Sequence, residues 1–173
     1  SPVGIRMPRR MRRQSALRVK IMSRLVFRNA TADDLPFIVA IYVEDAMIRT
    51  DDDPAEAMSQ PYLDALAAID ADPNQVLAVA ELDGERVGTI QITFIPGLNR
   101  VGMWKGLLEG VHISAAHRNK GLGTELVDWA LQRCRERGCG MAQLTSNKKR
   151  LDAHRFYERH GWKKSHEGFK YYF

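Results

Sequence analysis

The apolar positions of this chain switch between two spacings, and the switches mark its elements. Leu25, Val26 and Phe27 form a short apolar run before Arg28, which predicts a strand. Thr31, with Asp34 three residues on, is a helix start of the capping-box kind with Asp in the place of Glu, and the helix is expected to reach about Ile48. Asp51, Asp52 and Asp53 precede Pro54, which suits the first position of a second helix extending to about Ala71, kinked or divided at Pro61. Val76 to Leu82 and Val87 to Ile95 are strand-like runs joined by Asp83-Gly84, a hairpin signal. Pro96-Gly97 ends the second run. Residues 97 to 104 read as a flexible loop before a third strand-like run at about 105 to 113.

The helical spacing returns after Gly121, where Val127, Ala130, Leu131 and Cys134 share one face. Met141 to Leu144 is a further strand, and residues 149 to 160 form a helix that Gly161 stops. Gly168 separates two short final strands that end at Phe173. The order β-α-α-β-β-β-α-β-α-β-β predicts one mixed α/β layered domain, with no internal repeat and no second domain.

Composition changes this picture at one end. The 173 residues suffice for one sizeable core, and the net charge is +5. Eight Lys and Arg (Arg6, Arg9, Arg10, Arg12, Arg13, Arg18, Lys20 and Arg24) fall within residues 1 to 24, which carry no Asp or Glu. The remainder has 18 basic and 21 acidic residues, a net of −3, so the basic character belongs to the leader and not to the fold. Residues 1–23 are read as a disordered basic leader and 24–173 as the domain. Met22-Ser23 is a candidate natural start, with the preceding residues an added leader or an over-extended gene start. A nucleic-acid or targeting role for them is the alternative. No apolar run approaches the ~20 residues of a membrane span. Cys134 and Cys139 are too few for a disulfide framework and read as buried thiols in a reducing cytoplasm. His154, His160 and His166 lack metal-ligand spacing, so no metal site is expected.

The candidate chemistry begins where the third run ends. Arg118, Asn119, Lys120, Gly121, Leu122, Gly123 and Thr124 join a strand to the best amphipathic helix of the chain. Such a turn aims several backbone N–H groups at one spot, the helix dipole adds partial positive charge, and Arg118 and Lys120 add full charge. This suits a phosphate or pyrophosphate. A side chain at position 121 or 123 would hold the phosphate away from the backbone. The run is neither G-x-G-x-x-G nor G-x-x-x-x-G-K-[ST], which sets aside the dinucleotide fingerprint and the P-loop.

What remains is R-x-x-G-x-G, followed downstream by Asn147, Ala153, Phe156-Tyr157-Glu158 and Gly161-Trp162. Together, in this order and at this separation, the two runs resemble the signatures of the GNAT (Gcn5-related) N-acetyltransferase superfamily. The resemblance covers about residues 24 to 173 and is strong from about 105 onward. It implies a mixed, mostly antiparallel sheet flanked by helices and splayed between its fourth and fifth strands. It implies acetyl-CoA as cosubstrate and direct acetyl transfer to an amine in a ternary complex. Val111, His112 and Ile113 would meet the pantetheine arm, residues 118 to 124 the pyrophosphate, and Asn147 the pantetheine amides. Phe156 is a further cofactor-side candidate with a core role as the alternative. Tyr157 would protonate the leaving thiolate. The family's dimers also admit a homodimer.

The base is read from strand alternation. Glu109 shares a face with Val111 and Ile113, and His112, the second candidate, points the other way. Asn147 could equally cap the following helix, and Lys148, Lys149 and Arg150 could be a solvated face or reach the 3′-phosphate. Glu44, Asp45, Asp51, Asp52, Asp53 and Glu56 either attract a cationic acceptor or serve as caps and surface. The 97–106 loop could cover the acceptor, with Trp104 as a wall. The expected acceptor is a small primary amine. A similar run after Asn147 occurs in aminoalkylphosphonate acetyltransferases without fixing the acceptor. The alternatives are an N-terminal or lysine protein acetyltransferase and a non-catalytic acyl-CoA-binding module. Neither membrane nor nucleic acid is an expected partner.

Overall fold

A computed structural model describes residues 23–44 and 50–173. Residues 1–22, Asp45 and the expected helix end at Ile48 lie outside the described residues. The elements are β1 (Val26–Asn29), α1 (Leu35–Val43), α2 (Gln60–Ala71), β2 (Gln75–Leu82), β3 (Glu85–Ile95), β4 (Lys105–Ile113), α3 (Leu122–Glu136), β5 (Met141–Gln143) and α4 (Leu151–Arg159). Short 3₁₀ turns precede α1, α2 and α3.

Local chemistry accounts for most boundaries. Asp34 accepts from the Thr31 N–H at 2.7 Å, the reciprocal arm of the capping box. Asp53 accepts from the Ala55 N–H at 2.9 Å, and Pro54 opens the turn after it. That turn does not continue into a long helix. Residues 57–59 break it and α2 starts afresh with Pro61 in its first turn, so the segment is divided. Asp83 and Gly84 both adopt positive φ, +50° and +80°, as a two-residue hairpin turn requires.

The sheet runs β1-β2-β3-β4-β5, antiparallel except for the parallel pair β4–β5. Its period-2 alternation builds two cores. Leu77 and Val79 of β2 face α1 and α2, where Leu35, Ile38, Val39 and Leu66 pack. Ala78 and Ala80 face the other way with Ile90, Ile92, Leu108 and the α3 residues Leu122, Leu126 and Ala130. Phe27 stacks on Trp129 at 4.4 Å between centroids and ties β1 to α3.

Beneath the α1 end lies a clasp of charges. Asp34 is fully buried and bonds Arg28 at 2.7 and 2.8 Å and Arg86 Nε at 2.8 Å. Arg28 Nε also donates to Glu81 at 2.8 Å. The clasp joins β1, the start of α1, β2 and β3.

The parallel pair joins Lys105–Leu107 to Met141–Gln143, and there the two strands part. Beyond Leu107, β4 has no ladder on that side among the described residues. This is the expected splay. The two final strands do not form: residues 163–173 have no regular structure and join no ladder among the described residues. Pattern alone predicted them, but a strand needs a neighbour, and this segment has none here.

Candidate active site

The site is organised by a bulge in β4. Thr89 pairs with His112 and Gln91 with Glu109, so Gly110 and Val111 together oppose Ile90. Gly110 takes φ +56°, and a Cβ there would also come within 3.1 Å of the Tyr42 hydroxyl. Glycine meets both demands without strain or a shift of Tyr42. The extra residue resets the alternation. Val111 and Ile113 pack with the α3 core, while Glu109 and His112 lie together on the α1 side. The expectation that Glu109 shares a face with Val111 and Ile113 is therefore corrected. Unbroken alternation does not pass through a bulge.

Two clefts meet at this strand, and His112 borders both. The first, about 160 Å³, is lined by Val111, Ile113, Arg118 and Gly123 on one wall and by Arg150, Ala153, Phe156 and Tyr157 on the other, with Leu126 at its floor. It opens where β4 has left β5. Asn119 and Gly121 adopt φ +62° and +79°, turning the backbone into the start of α3. The first N–H groups of α3 have no intrahelical acceptor and are available to an anion. Arg24 Nη2 donates to the Lys120 carbonyl at 2.6 Å and Arg118 Nε to the Ile113 carbonyl at 3.3 Å, which steadies the turn from both sides. Leu122 is 1% exposed, so it can offer a ligand only its backbone.

Tyr157 is half-buried in this cleft, with its ring edge-on to Phe156 at 5.2 Å and to Trp162 at 5.8 Å. Burial raises its phenol above the usual value, and the Arg150 charge works against that shift. Asn147 lies outside the cleft lining. Its side-chain oxygen accepts from the Lys149 N–H at 2.9 Å in a local turn, Arg150 and not Asn147 is the N-cap of α4, and the Asn147 carbonyl is 2.9 Å from His154 Nε2. Lys148 pairs with Glu167 at the surface, whereas Arg150 faces the cleft.

The second cleft, about 360 Å³, is lined by Tyr42, Thr50, Asp52, Gln91, Glu109, Gly110 and His112. The Tyr42 ring lies 5.5 Å from that of His112. Its phenol is pushed up to about 12 by burial first and then by the carboxylates of Asp52 and Glu109. Both negative charges thus converge on one wall. Asp52 accepts from the Tyr62 hydroxyl at 2.7 Å and from Thr50 at 2.6 Å. The other acidic candidates divide. Glu44 accepts from the Ala115 N–H at 3.0 Å and Asp53 caps its turn. Trp104 lines neither cleft; it sits just before β4, where its carbonyl accepts from the Gly140 N–H. Sequence reasoning missed Tyr42, Gln91 and Thr50 as lining residues of the second cleft, whereas Arg150 was one of three basic candidates for the cofactor side. A lone Gly inside the 105–113 run was the available signal for the bulge that gathers the first two.

Residues 37–162 match the Acetyltransferase (GNAT) family. The chain belongs to the GNAT acetyltransferase family. The aminoalkylphosphonate N-acetyltransferase of Salmonella typhimurium is 32% identical over 149 residues, covering 86% of this chain and 92% of that protein. A Bacillus halodurans C-125 protein described as a transcriptional regulator is 41% identical, with a TM-score of 0.81 over 86% of this chain and 99% of that one. A predicted acetyltransferase from Clostridium acetobutylicum, solved with acetyl-CoA, shares the fold at 20% identity, with a TM-score of 0.64 over 86% of this chain and 96% of that one. As a GNAT member the chain is an N-acetyltransferase. Among its described residues, no helix is long and apolar enough to cross a membrane.

Proposed function

We infer that this GNAT enzyme transfers acetyl from acetyl-CoA to the primary amine of a small molecule, in the cytoplasm, within a ternary complex. The observation that carries this reading is the pair of clefts on either side of the Gly110 bulge. One cleft is walled by Arg118 and Gly123 of the glycine-rich turn and by Tyr157, and the other by Asp52 and Glu109. In the first, the turn from Arg118 to Thr124 receives the pyrophosphate, and the splay beside Val111, His112 and Ile113 receives the pantetheine arm. Asn147 lies beyond the splay, with its side-chain nitrogen available for an amide. In the second, the carboxylates draw a cationic amine by their field.

The amine must lose a proton before it attacks. Glu109 accepts it, directly or through water, and His112 is the alternative base on the same wall. The amine nitrogen then bonds the thioester carbonyl carbon, the C–S bond breaks, and Tyr157 gives its proton to the departing thiolate. The Salmonella relative acts on an aminoalkylphosphonate, as its name states, which favours a small-molecule acceptor over a protein. A non-catalytic acyl-CoA-binding module would have no need of the Tyr157 hydroxyl.

Two results are expected. Saturating acetyl-CoA, at about 100 times its Kd, adds roughly 2.7 kcal/mol and raises the unfolding midpoint by roughly 5 °C or more. An amine panel then releases free thiol with at least one small primary amine. No shift at millimolar acetyl-CoA removes the cofactor assignment. Glu109→Gln flattens the acidic limb of the kcat/KM–pH profile. An unchanged limb transfers the base role away from Glu109.

A further inference from the structure

The residues that lead into β1 are fastened to the first turn of α3. Glu125, with a side chain 12% exposed, gathers them. Its Oε1 accepts from the Arg24 N–H at 2.6 Å, the Ser23 hydroxyl at 3.2 Å and the Leu25 N–H at 3.4 Å. Its Oε2 accepts from Arg24 Nε at 2.9 Å and lies 2.8 Å from Arg24 Nη2. Held by both its main chain and its side chain, Arg24 reaches the glycine-rich turn 96 positions further along. Its Nη2 donates to the Lys120 carbonyl at 2.6 Å, and a Cβ on Gly121 would come within 3.3 Å of the same nitrogen.

The bond to Lys120 has a consequence at the other end of the peptide unit. A trans peptide points its C=O and the following N–H in opposite directions. Drawing the Lys120 carbonyl toward Arg24 therefore turns the Gly121 N–H away from Arg24. A guanidinium on the carbonyl also polarises the unit and makes that N–H a stronger donor. Arg24 does not line the cofactor cleft, whereas Arg118 and Gly123 of the same turn do. The guanidinium acts from outside the cleft on backbone that borders it. That backbone needs fixing: Asn119, which is not a glycine, holds φ +62° beside Gly121 at +79°.

We propose that Arg24, clamped by Glu125, is a positioning residue for acetyl-CoA: it holds the Lys120–Gly121 peptide in the orientation that receives the pyrophosphate. The proposal rests on the acetyl-CoA reading given above. It extends the cofactor site to a residue upstream of the 37–162 family match. Arg24 is half-exposed and belongs to neither hydrophobic core, so its loss leaves the packing intact. A partly exposed Arg–Glu pair adds little to stability by itself. Here the pair fixes a binding turn, so its effect falls on the donor. The effect is confined to donors that carry the nucleotide. A thioester with the pantetheine arm alone brings no phosphate to the turn and gains nothing from Arg24.

Kinetics with two donors and one binding measurement test this. With acetyl-CoA, Arg24→Ala is expected to raise KM about tenfold, the loss of one hydrogen bond from a charged group, and to leave kcat within about twofold. With S-acetylpantetheine, which has the arm and no phosphate, kcat/KM is expected to agree between parent and variant within about twofold. Calorimetric titration with CoA, which needs no turnover, is expected to show the same roughly tenfold rise in Kd. Glu125→Gln keeps an oxygen for the Arg24 N–H and loses the one that holds Nε, so its KM for acetyl-CoA should rise by less. Unfolding midpoints of all three proteins identify any failure to fold. An unchanged KM and Kd in folded Arg24→Ala overturn the proposal. Equal losses with both donors, or a lower kcat at constant KM, also overturn it, because they mark general damage to the site. A parent that neither binds nor turns over acetyl-CoA overturns the reaction reading itself, and the role of Arg24 with it.

Discussion

Replacing Asp34 by Asn is expected to lower the free energy of unfolding by about 3 kcal/mol, because the substitution breaks a buried charged pair from its carboxylate side. Asp34 is fully buried, and both guanidinium groups that meet it, Arg28 and Arg86, are partly exposed. The two cations left behind keep some hydration, and Arg28 keeps Glu81, so the cost sits at the lower end of the range for a broken buried pair. For a domain of this size the midpoint falls by roughly 6–12 °C. The effect carries a pH signature. The Arg28 hydrogen bonds, joined by the Thr31 N–H, hold the Asp34 carboxyl far below the usual carboxylate range. A carboxyl depressed on folding contributes its full stability above the unfolded value near 4 and loses it as the pH falls from there toward the folded value. Parent and variant are therefore expected to differ most at neutral pH and to converge in acid. A loss below about 1 kcal/mol at pH 7, or a gap that stays constant down to pH 3, would show that the clasp adds little.

The clasp also marks what a sequence can and cannot reveal. Thr31 and Asp34 are three residues apart, and their local bond was legible as a capping box. The partners that make Asp34 unusual lie 6 and 52 positions away along the chain, on strands brought together by the sheet. The same division runs through the site. The Arg118–Thr124 turn was legible because its glycines, charges and helix are contiguous. The hairpin at Asp83-Gly84 and the stop at Gly161 were legible for the same reason. The faces of Glu109 and His112 were not, since one glycine at position 110 inverts an alternation that the pattern assumes is unbroken. Tyr42 and Gln91 join the second cleft from α1 and β3, and nothing in their own neighbourhoods announces it. Asn147 was legible only as a choice, a pantetheine contact or a local cap, and its side-chain oxygen bonds the Lys149 N–H while its side-chain nitrogen is the group the proposed cofactor role uses. The last strands failed differently: the alternation at 169–173 is real, but pairing depends on a neighbour that the pattern cannot supply.

Tyr157→Phe is expected to lower kcat by about 10²-fold, at the lower end of what a positioned proton donor contributes. The substitution deletes one hydroxyl and keeps the ring that packs edge-on to Phe156 and Trp162, so the unfolding midpoint and the KM for acetyl-CoA should change little. That split between kcat and KM is what separates an acid from a packing residue. A ring needed only for shape would leave kcat intact in the Phe variant, and Tyr157→Ala would then be the damaging change. The pH dependence supplies a second discriminator. Burial raises the Tyr157 phenol above its ordinary value near 10, so it remains protonated through neutral and mildly alkaline solution. A proton donor with a raised pKa holds kcat level on the alkaline side until the pH nears that value. The parent should therefore lose activity through this group only above about pH 10, and the Phe variant should lack that limb. A smaller leaving-group burden should rescue the variant. An acyl donor with a more acidic thiol departs without needing a proton, so the gap between parent and variant should narrow with such a donor. A kcat reduced less than about threefold, or a gap that is the same for both donors, would remove Tyr157 as the acid and leave the Arg150 side of the cleft as the place to look for one.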